Sequence, residues 1–273
     1  MKIGYLGPKG SYSYMAVIQY APDVELIPTK SMRKIITLVE EEKIEQGILP
    51  IENSTEGAVT EVMDLLIKTK KSKIQREIIL PVRHNLLSTG DDISKLKYIL
   101  SHPQALEQTR EYFIKNYPGI ELIPTESTSR ACEIVKQKGE EYAAIANEWA
   151  AKNNGLKILD KNIQDNFYNQ TRFLIIGRNH EKPTGKDKTS IAFSFHNDFP
   201  GSLYMVLKEF AEREVNLTRI ESRPAKSEMG KYIFYIDFIG HIEDNHVKEI
   251  LENVEKITNR FKIFGSYPMG KIE

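Results

Sequence analysis

A five-residue block occurs twice in this chain, and the repetition restricts the possible folds more than any other feature. Glu25-Leu26-Ile27-Pro28-Thr29 returns 96 positions later as Glu121-Leu122-Ile123-Pro124-Thr125. The flanks agree in kind. A strand-like run (Lys2 to Leu6, then Leu96 to Leu100) meets a turn containing Pro8 or Pro103 and then a helical pattern. Beyond the block, Ile35, Ile36 and Val39 match Ala131, Ile134 and Val135 as apolar helix faces. Each face is followed by a second strand-like run, Gly47 to Ile51 and Tyr142 to Ala146. Strand and helix patterns that alternate in this way predict parallel βαβ units, hence two similar α/β lobes. Ile78 to Val82 is expected to lead from the first lobe to the second, and Thr171 to Ile176 to return. Two crossings make a hinge with a cleft above it, a common ligand site. In parallel sheets, ligands gather at the carboxyl ends of strands, where the next helices begin.

The polar stretch from Arg178 to Lys188, RNHEKPTGKDK, has the composition of a linker. A different grammar follows it. Ser190 to His196 alternates like a strand, and Leu203, Val206, Leu207 and Phe210 mark a helix face. Leu217 to Pro224 and Tyr232 to Ile239 read as strands, Val247 to Ile257 as a second helix, and Phe261 to Phe264 as a last strand. The order βαββαβ predicts a ferredoxin-like unit. The expected division is a first domain over 1–178, a linker over 179–188 and a small domain over 189–273. Within the first domain, the lobes are expected over 1–77 plus 171–178 and over 78–170.

Composition narrows the partners. The 273 residues are 40% hydrophobic, enough for cores of this size, and 38 basic residues balance 38 acidic ones. That balance removes any bulk argument for nucleic acid or a membrane surface as a partner. The lone Cys132 cannot form an intrachain disulfide, and it is assigned to packing, as is Trp149. No apolar run approaches the roughly 18 residues of a membrane span. The opening MKIGYLGPKGSYSY lacks the apolar stretch of a secretory signal. A cytoplasmic location is expected.

Common cofactor signatures fail. Gly4, Gly7 and Gly10 give GxxGxxG, which is not the GxGxxG dinucleotide spacing. The histidines form neither HxxxH nor HExxH, and His241 with His246 is a poor metal pair. Neither a cofactor nor a metal is expected. Three turns are more informative: Gly7 to Ser13, Pro50 to Gly57, and Ser101-His102-Pro103-Gln104. Each carries small or hydroxyl-bearing residues at an expected helix start. Such residues cap helices in any protein. Three of them meeting at one cleft would suit an anion, because helix starts offer free N–H groups and partial positive charge.

Four blocks, GPKGSYSYMA, LPIENSTEGAV, SHPQALEQ and NIQDNFYNQTRFLIIG, resemble in order the signature blocks of the prephenate dehydratase family. The tail, PGSLYMVLKEFAEREVNLTRIESRP, is similar to the ACT regulatory domain attached to that enzyme. Ser11-Tyr12 stands where the family usually has Thr-Phe, and Glu107-Gln108-Thr109 where it commonly has Ala-Gln-Cys. The resemblance implies a catalytic half like the type II periplasmic binding proteins. It also implies decarboxylating dehydration of prephenate to phenylpyruvate, a cofactor-free lyase step in phenylalanine biosynthesis, with phenylalanine as allosteric inhibitor. Arogenate dehydratase, or a non-catalytic amino-acid sensor, is the alternative.

The same resemblance places the essential hydroxyl at Thr171. Ser11, Asn53, Ser54, Thr55 and Ser101 are then expected to anchor the side-chain carboxylate, with His102 or Gln104 assisting the departing hydroxyl. Arg172 and Phe173, from the same block as Thr171, join the substrate-binding candidates. Adjacent strand residues point to opposite faces, so Arg172 is also a candidate for pairing with a carboxylate of the protein. In the small domain, Gly201-Ser202-Leu203 and Glu221-Ser222-Arg223-Pro224 are implied to form a phenylalanine site between paired ACT domains, giving a homodimer or homotetramer.

Overall fold

A computed structural model describes residues 1–197, 199–226 and 230–270. Residues 198, 227–229 and 271–273 of the expected small domain lie outside the described residues. The chain opens with β1 (Lys2–Leu6), α1 (Tyr12–Tyr20), β2 (Glu25–Thr29), α2 (Met32–Glu40) and β3 (Gln46–Asn53). Short β4 (Gly57–Ala58), α3 (Thr60–Leu66) and β5 (Lys73–Pro81) follow. The second lobe contains β6 (Asn85–Ser88), β7 (Tyr98–Ser101), α4 (Pro103–Glu107), α5 (Arg110–Asn116), β8 (Glu121–Pro124) and α6 (Thr128–Lys138). It ends with β9 (Tyr142–Ala146), α7 (Glu148–Asn154) and β10 (Lys157–Asp160). The chain then returns through β11 (Gln170–Gly177).

The lobes have one sheet each, in the orders β2-β1-β3-β11-β5 and β10-β6-β9-β7-β8. The repeat is visible in their registers. Lys2 pairs with Glu25 in parallel, and Tyr98, 96 positions on, pairs in parallel with Glu121. It extends past the repeated block. Thr29 and Thr125 each donate their hydroxyl to the carbonyl of the residue two ahead, and that residue, Ser31 or Ser127, caps the next helix. Apolar faces explain the helices: Ile35, Ile36 and Val39 of α2, and Ala131, Cys132 and Val135 of α6, are buried against their sheets.

Two boundaries differ from the sequence expectation. Ile78 to Val82 was expected as the connection between lobes, but β5 pairs along its length with β11 and belongs to the first sheet, so the crossing falls at Val82. In addition, the expected turn at 50–57 opens no helix directly; β3 continues to Asn53 and α3 begins at Thr60. Pro50 sits next to a bulge, where the ladder with β11 passes from Glu52 opposite Arg172 to Pro50 opposite Phe173. A missing N–H is tolerated at such an irregularity.

The small domain comprises β12 (Asp187–Ser194), α8 (Ser202–Ala211), β13 (Leu217–Pro224), β14 (Tyr232–Ile239), α9 (Asn245–Ile257) and β15 (Asn259–Pro268). Its sheet is antiparallel in the order β13-β14-β12-β15. One face packs under the helices, with Ile191, Phe193, Phe210, Phe238 and Val254 buried between. The other face lies on the first lobe. There Ala192, Tyr235, Phe264 and Tyr267 share one apolar core with Ile51, Ile74, Leu174 and Ile176. Gly265 sits at a tight approach of the two domains, where a Cβ would collide with the Ile74 carbonyl oxygen. This contact also revises the linker, whose last two residues, Asp187 and Lys188, are buried in β12. Their charges are met inside the protein: Asp187 accepts from the Thr184 and Gly185 amides, and Lys188 pairs with Glu77. Among the described residues, no helix is long and apolar enough to cross a membrane.

Candidate active site

Between the two lobes lies a cavity of about 360 Å³, within the usual range for small-ligand sites. Helix starts from both lobes meet on it. Ser11 caps α1, accepting from the Tyr14 amide at 3.2 Å and donating to the Leu6 carbonyl at 2.9 Å. His102 caps α4 through Nδ1, 3.3 Å from the Gln104 amide, and Ser127 caps α6, 3.0 Å from the Arg130 amide. All three residues line the cavity, along with Thr128.

Thr171 and Asn53 meet on the floor. They are paired across the β3–β11 ladder, and the Asn53 amide donates to the Thr171 Oγ1 at 3.0 Å and to the Asn169 Oδ1 at 2.8 Å. The Asn53 Oδ1 in turn accepts from the amides of Thr55 and Glu56. With both ends of its amide committed, Asn53 cannot flip. The Thr171 oxygen is therefore an acceptor on the protein side, and its own hydrogen is available to the cavity.

Two further groups close the walls. The Tyr12 hydroxyl donates to the Arg83 carbonyl at 2.8 Å, and its ring stands edge-on to His84. Burial raises the Tyr12 hydroxyl well above its ordinary pKa, so it stays protonated. The His84 ring lies 2.8 Å from the Gln108 Oε1 through Nε2, which therefore carries the hydrogen, while Nδ1 has no partner. Burial lowers the pKa of this imidazole despite the Gln108 contact, so it is neutral at pH 7. The lobes are latched on either side. Glu56 of the first lobe accepts from the Gln104 and Gln108 amides of the second, the latter at 3.0 Å. Opposite, Asn147 of the second lobe donates to the Gly10 carbonyl at 3.0 Å. Trp149 lies flush on Gly10, where a Cβ would come within 2.2 Å of the indole.

Of the residues expected here, Ser11, Asn53, His102, Gln104 and Thr171 line the cavity. Ser54, Thr55, Ser101, Arg172 and Phe173 do not. Ser54 stitches the floor from behind, donating to the Tyr168 carbonyl and accepting from the Gln170 amide. Thr55 lines a separate depression with Gln108 and Asn169. Ser101 is fully buried and donates to the Ile145 carbonyl at 2.7 Å, tying β7 to β9. Phe173 is in the core with Ile3, Tyr5 and Ile48.

Arg172 points away from the cleft because β11 alternates. Its guanidinium lies 3.0 Å from Glu52, 2.6 Å from Glu77 and 2.6 Å from Asp237 of the small domain, and donates to the Tyr267 hydroxyl at 2.9 Å. The Nε–H is not aligned for a hydrogen bond, so the Glu77 contact at that atom is one of charge. Burial opposes the charge of Arg172, but Tyr267, Asp237, Glu77 and Glu52 outweigh it and keep the group protonated. The space beside it is about 20 Å³, room for a water but not a ligand.

Sequence reasoning missed Tyr12, His84, Gln108, Ser127 and Thr128. Ser127 and Thr128 had a signal, since they follow the second copy of the repeat. Tyr12 and Gln108 lay inside compared blocks. His84 had none.

In the small domain, Gly201 begins α8 with φ +96° and Ser202 accepts from the Phe199 amide at 3.1 Å. Leu203 packs on the helix–sheet core. Glu221, Ser222, Arg223 and Pro224 end β13, one of the two edge strands of the sheet. Arg223 reaches Asp64 of the first lobe at 3.3 Å.

Comparison with known proteins gives consistent matches. Residues 3–181 match the family model described as prephenate dehydratase, and residues 189–256 that of the ACT domain. A prephenate dehydratase of Methanocaldococcus jannaschii is 42% identical, with 97% of each chain covered. The crystal structure of the Arthrobacter aurescens prephenate dehydratase in complex with L-Phe superposes with a TM-score of 0.89 at 32% identity, covering 98% of this chain and 90% of that one. A structure described as a novel type of quorum quenching acylase superposes with a TM-score of 0.88 at 30% identity, covering 98% of both chains.

Proposed function

Because this chain belongs to the prephenate dehydratase family and carries an ACT domain, we propose that it converts prephenate to phenylpyruvate, a carbon–oxygen lyase step of phenylalanine biosynthesis. In that reaction the bond from the ring to its carboxylate breaks and CO2 leaves. The freed electron pair moves through the ring and expels hydroxide, which takes up one proton to become water. Aromaticity of the product supplies much of the drive. The protein must hold a dianion, exclude water and help the hydroxyl depart.

The observation that carries this reading is the Thr171 hydroxyl, fixed as an acceptor by Asn53 at 3.0 Å and free to donate into the cleft. A donor aimed at charge that develops only in the transition state lowers the barrier. Accepting from Asn53 makes the Thr171 O–H a stronger donor. The alcohol orients or relays the proton rather than acting as a strong acid. Among the described residues lining the cleft there is no lysine, arginine, aspartate or glutamate, so the substrate carboxylates are met by helix starts, hydroxyls and amides. Dipoles anchor the side-chain carboxylate without a cation that would hold back the departing one.

No described lining residue is acidic, which favours prephenate over arogenate, whose ammonium a carboxylate would meet best. Acyl transfer, the activity in the name of one structural neighbour, needs an activated nucleophile. Here the Ser11 hydroxyl donates to a carbonyl and Thr171 is held by an amide. The Cys132 thiol is buried, and burial pushes its pKa up to about 12.

The regulatory half of the proposal is that L-phenylalanine binds at the Gly201–Leu203 and Glu221–Pro224 segments of paired small domains, in a homodimer or homotetramer. The open β13 edge and the exposed Tyr204 and Ile220 support pairing there. A cytoplasmic location belongs to the same reading. Purified protein supplied with prephenate should form phenylpyruvate, with little product from arogenate and less from prephenate when phenylalanine is added. Thr171→Val, which keeps the shape and deletes the hydroxyl, should lower kcat by about 100- to 1000-fold. Near-normal turnover in that variant would remove the mechanism. Binding of phenylalanine without any turnover of prephenate would instead indicate an amino-acid sensor.

A further inference from the structure

The ladder between β3 and β11 carries the cleft on one face and the small domain on the other. Asn53 and Thr171 occupy the cleft face; their chain neighbours Glu52 and Arg172, paired with each other, occupy the opposite face. The small domain grips both neighbours. Asp237 of β14 takes Arg172 at 2.6 Å, and Arg219 of β13 takes Glu52 at 3.0 Å. With Glu77 and Lys188, three cations and three anions meet at this boundary, and apart from Glu52 their side chains are at most about a tenth exposed.

Adhesion does not require this arrangement. The two domains already share the apolar core around Ile74, Leu174, Tyr235 and Phe264, and the desolvation of buried ion pairs largely offsets their mutual attraction. Directional bonds to a guanidinium do something an apolar core cannot: they fix orientation. Consecutive residues are joined by a planar, nearly rigid peptide, so shifting Arg172 or Glu52 shifts Thr171 or Asn53. We infer that Asp237 and Arg219 of the small domain are positioning residues for the Thr171 hydroxyl, acting through Arg172 and Glu52. This rests on Thr171 being the hydroxyl that assists the reaction.

Asp237→Asn keeps the shape and removes the charge. It should lower kcat about tenfold with KM within about twofold, since a displacement well under 1 Å at a reacting group has effects of that order. Arg219→Gln should act in the same direction, and carries the test if Asp237→Asn does not fold. Lys262→Met is the comparison. Lys262 crosses the same boundary to the carbonyls of Leu66, Ile67 and Thr69 without touching the ladder. This variant should lower the melting temperature and leave kcat within about twofold. Added to Thr171→Val, Asp237→Asn should cost no further rate, as expected of groups acting through one another.

The proposal is overturned if folded Asp237→Asn and Arg219→Gln both keep the parent kcat. It is also overturned if Lys262→Met loses kcat in step with them, or if the Asp237 and Thr171 effects simply add. Failure of the reaction mechanism itself is seen separately, as full turnover by Thr171→Val with the small domain untouched.

Discussion

The first lobe meets its two neighbours through opposite chemistries. Around a cavity of about 360 Å³ shared with the second lobe it presents hydroxyls, the Asn53 amide and a helix start, with the Glu56 carboxylate engaged beside it by Gln104 and Gln108. Towards the small domain it presents Glu52, Glu77 and Arg172, neutralised in place by Asp237, Lys188 and Arg219. The boundary of buried charges is filled; the cavity lined by dipoles is open. Full charges locked to one another orient backbone and have nothing left for a ligand. Dipoles held by capping bonds keep their outward valence and can receive an anion without binding it so tightly that departure of CO2 is opposed. For the proposed reaction, an anion site with no lysine or arginine among its described lining residues is thus consistent with the chemistry.

Substitutions can test that contrast. The largest effect is expected at the filled boundary. Arg172→Met should destabilise the fold by about 3–5 kcal/mol, because it leaves the carboxylates of Glu77 and Asp237 buried with too little positive charge. Chemical denaturation would measure this, and a loss below about 1 kcal/mol would mean that the network is more open to water than its burial indicates. Next comes the latch between lobes. Gly10→Ala places a methyl on a rigid indole at a residue with φ +89°, and should cost about 1–3 kcal/mol. Trp149→Ala in the same chain should recover part of that loss, since it removes the clash; a strictly additive pair would break the assignment.

The smallest effect concerns His84. Its folded pKa lies below the ordinary value of 6.5, so the unfolded chain takes up a proton first. The stability contributed by the neutral ring is complete above pH 6.5 and is lost as pH falls towards the folded value. The melting temperature should therefore drop more between pH 7 and 5 in the parent than in His84→Gln. Any inflection of kcat near pH 6.5 should be the same in His84→Gln as in the parent; its disappearance in that variant would mean that His84 titrates freely.

Much of the architecture was legible because it is written in periodicity. The repeated block carried the 96-residue offset that the β1–β2 and β7–β8 registers share, and the small domain followed from alternation in Leu217 to Pro224 and Tyr232 to Ile239. What could not be read was partnership across long separations. Lys188 looks like a linker residue until Glu77, 111 positions earlier, is placed beside it. The site divided in the same way. Ser11 and His102 were visible as caps and Thr171 through the resemblance. Ser101 has the residue type of a binding group, yet its hydroxyl is spent on the Ile145 carbonyl. His84 reaches the cleft only because the chain crosses between lobes beside it, a matter of topology rather than motif. The position of Arg172 follows from strand alternation, which left only its carboxylate partners to be found.

The irregularity at Ile51 also bears on reactivity. With Pro50 opposite Phe173 and Glu52 opposite Arg172, Ile51 is the surplus residue of its strand. Were the two strands to run in unbroken step from Pro50, Ile51 would stand against Arg172 and the carboxylate of Glu52 against Thr171. A negative group would then adjoin the alcohol proposed to ease out hydroxide from a doubly negative molecule. One surplus residue, far too small a feature to mark a motif, keeps that repulsion on the far side of the sheet.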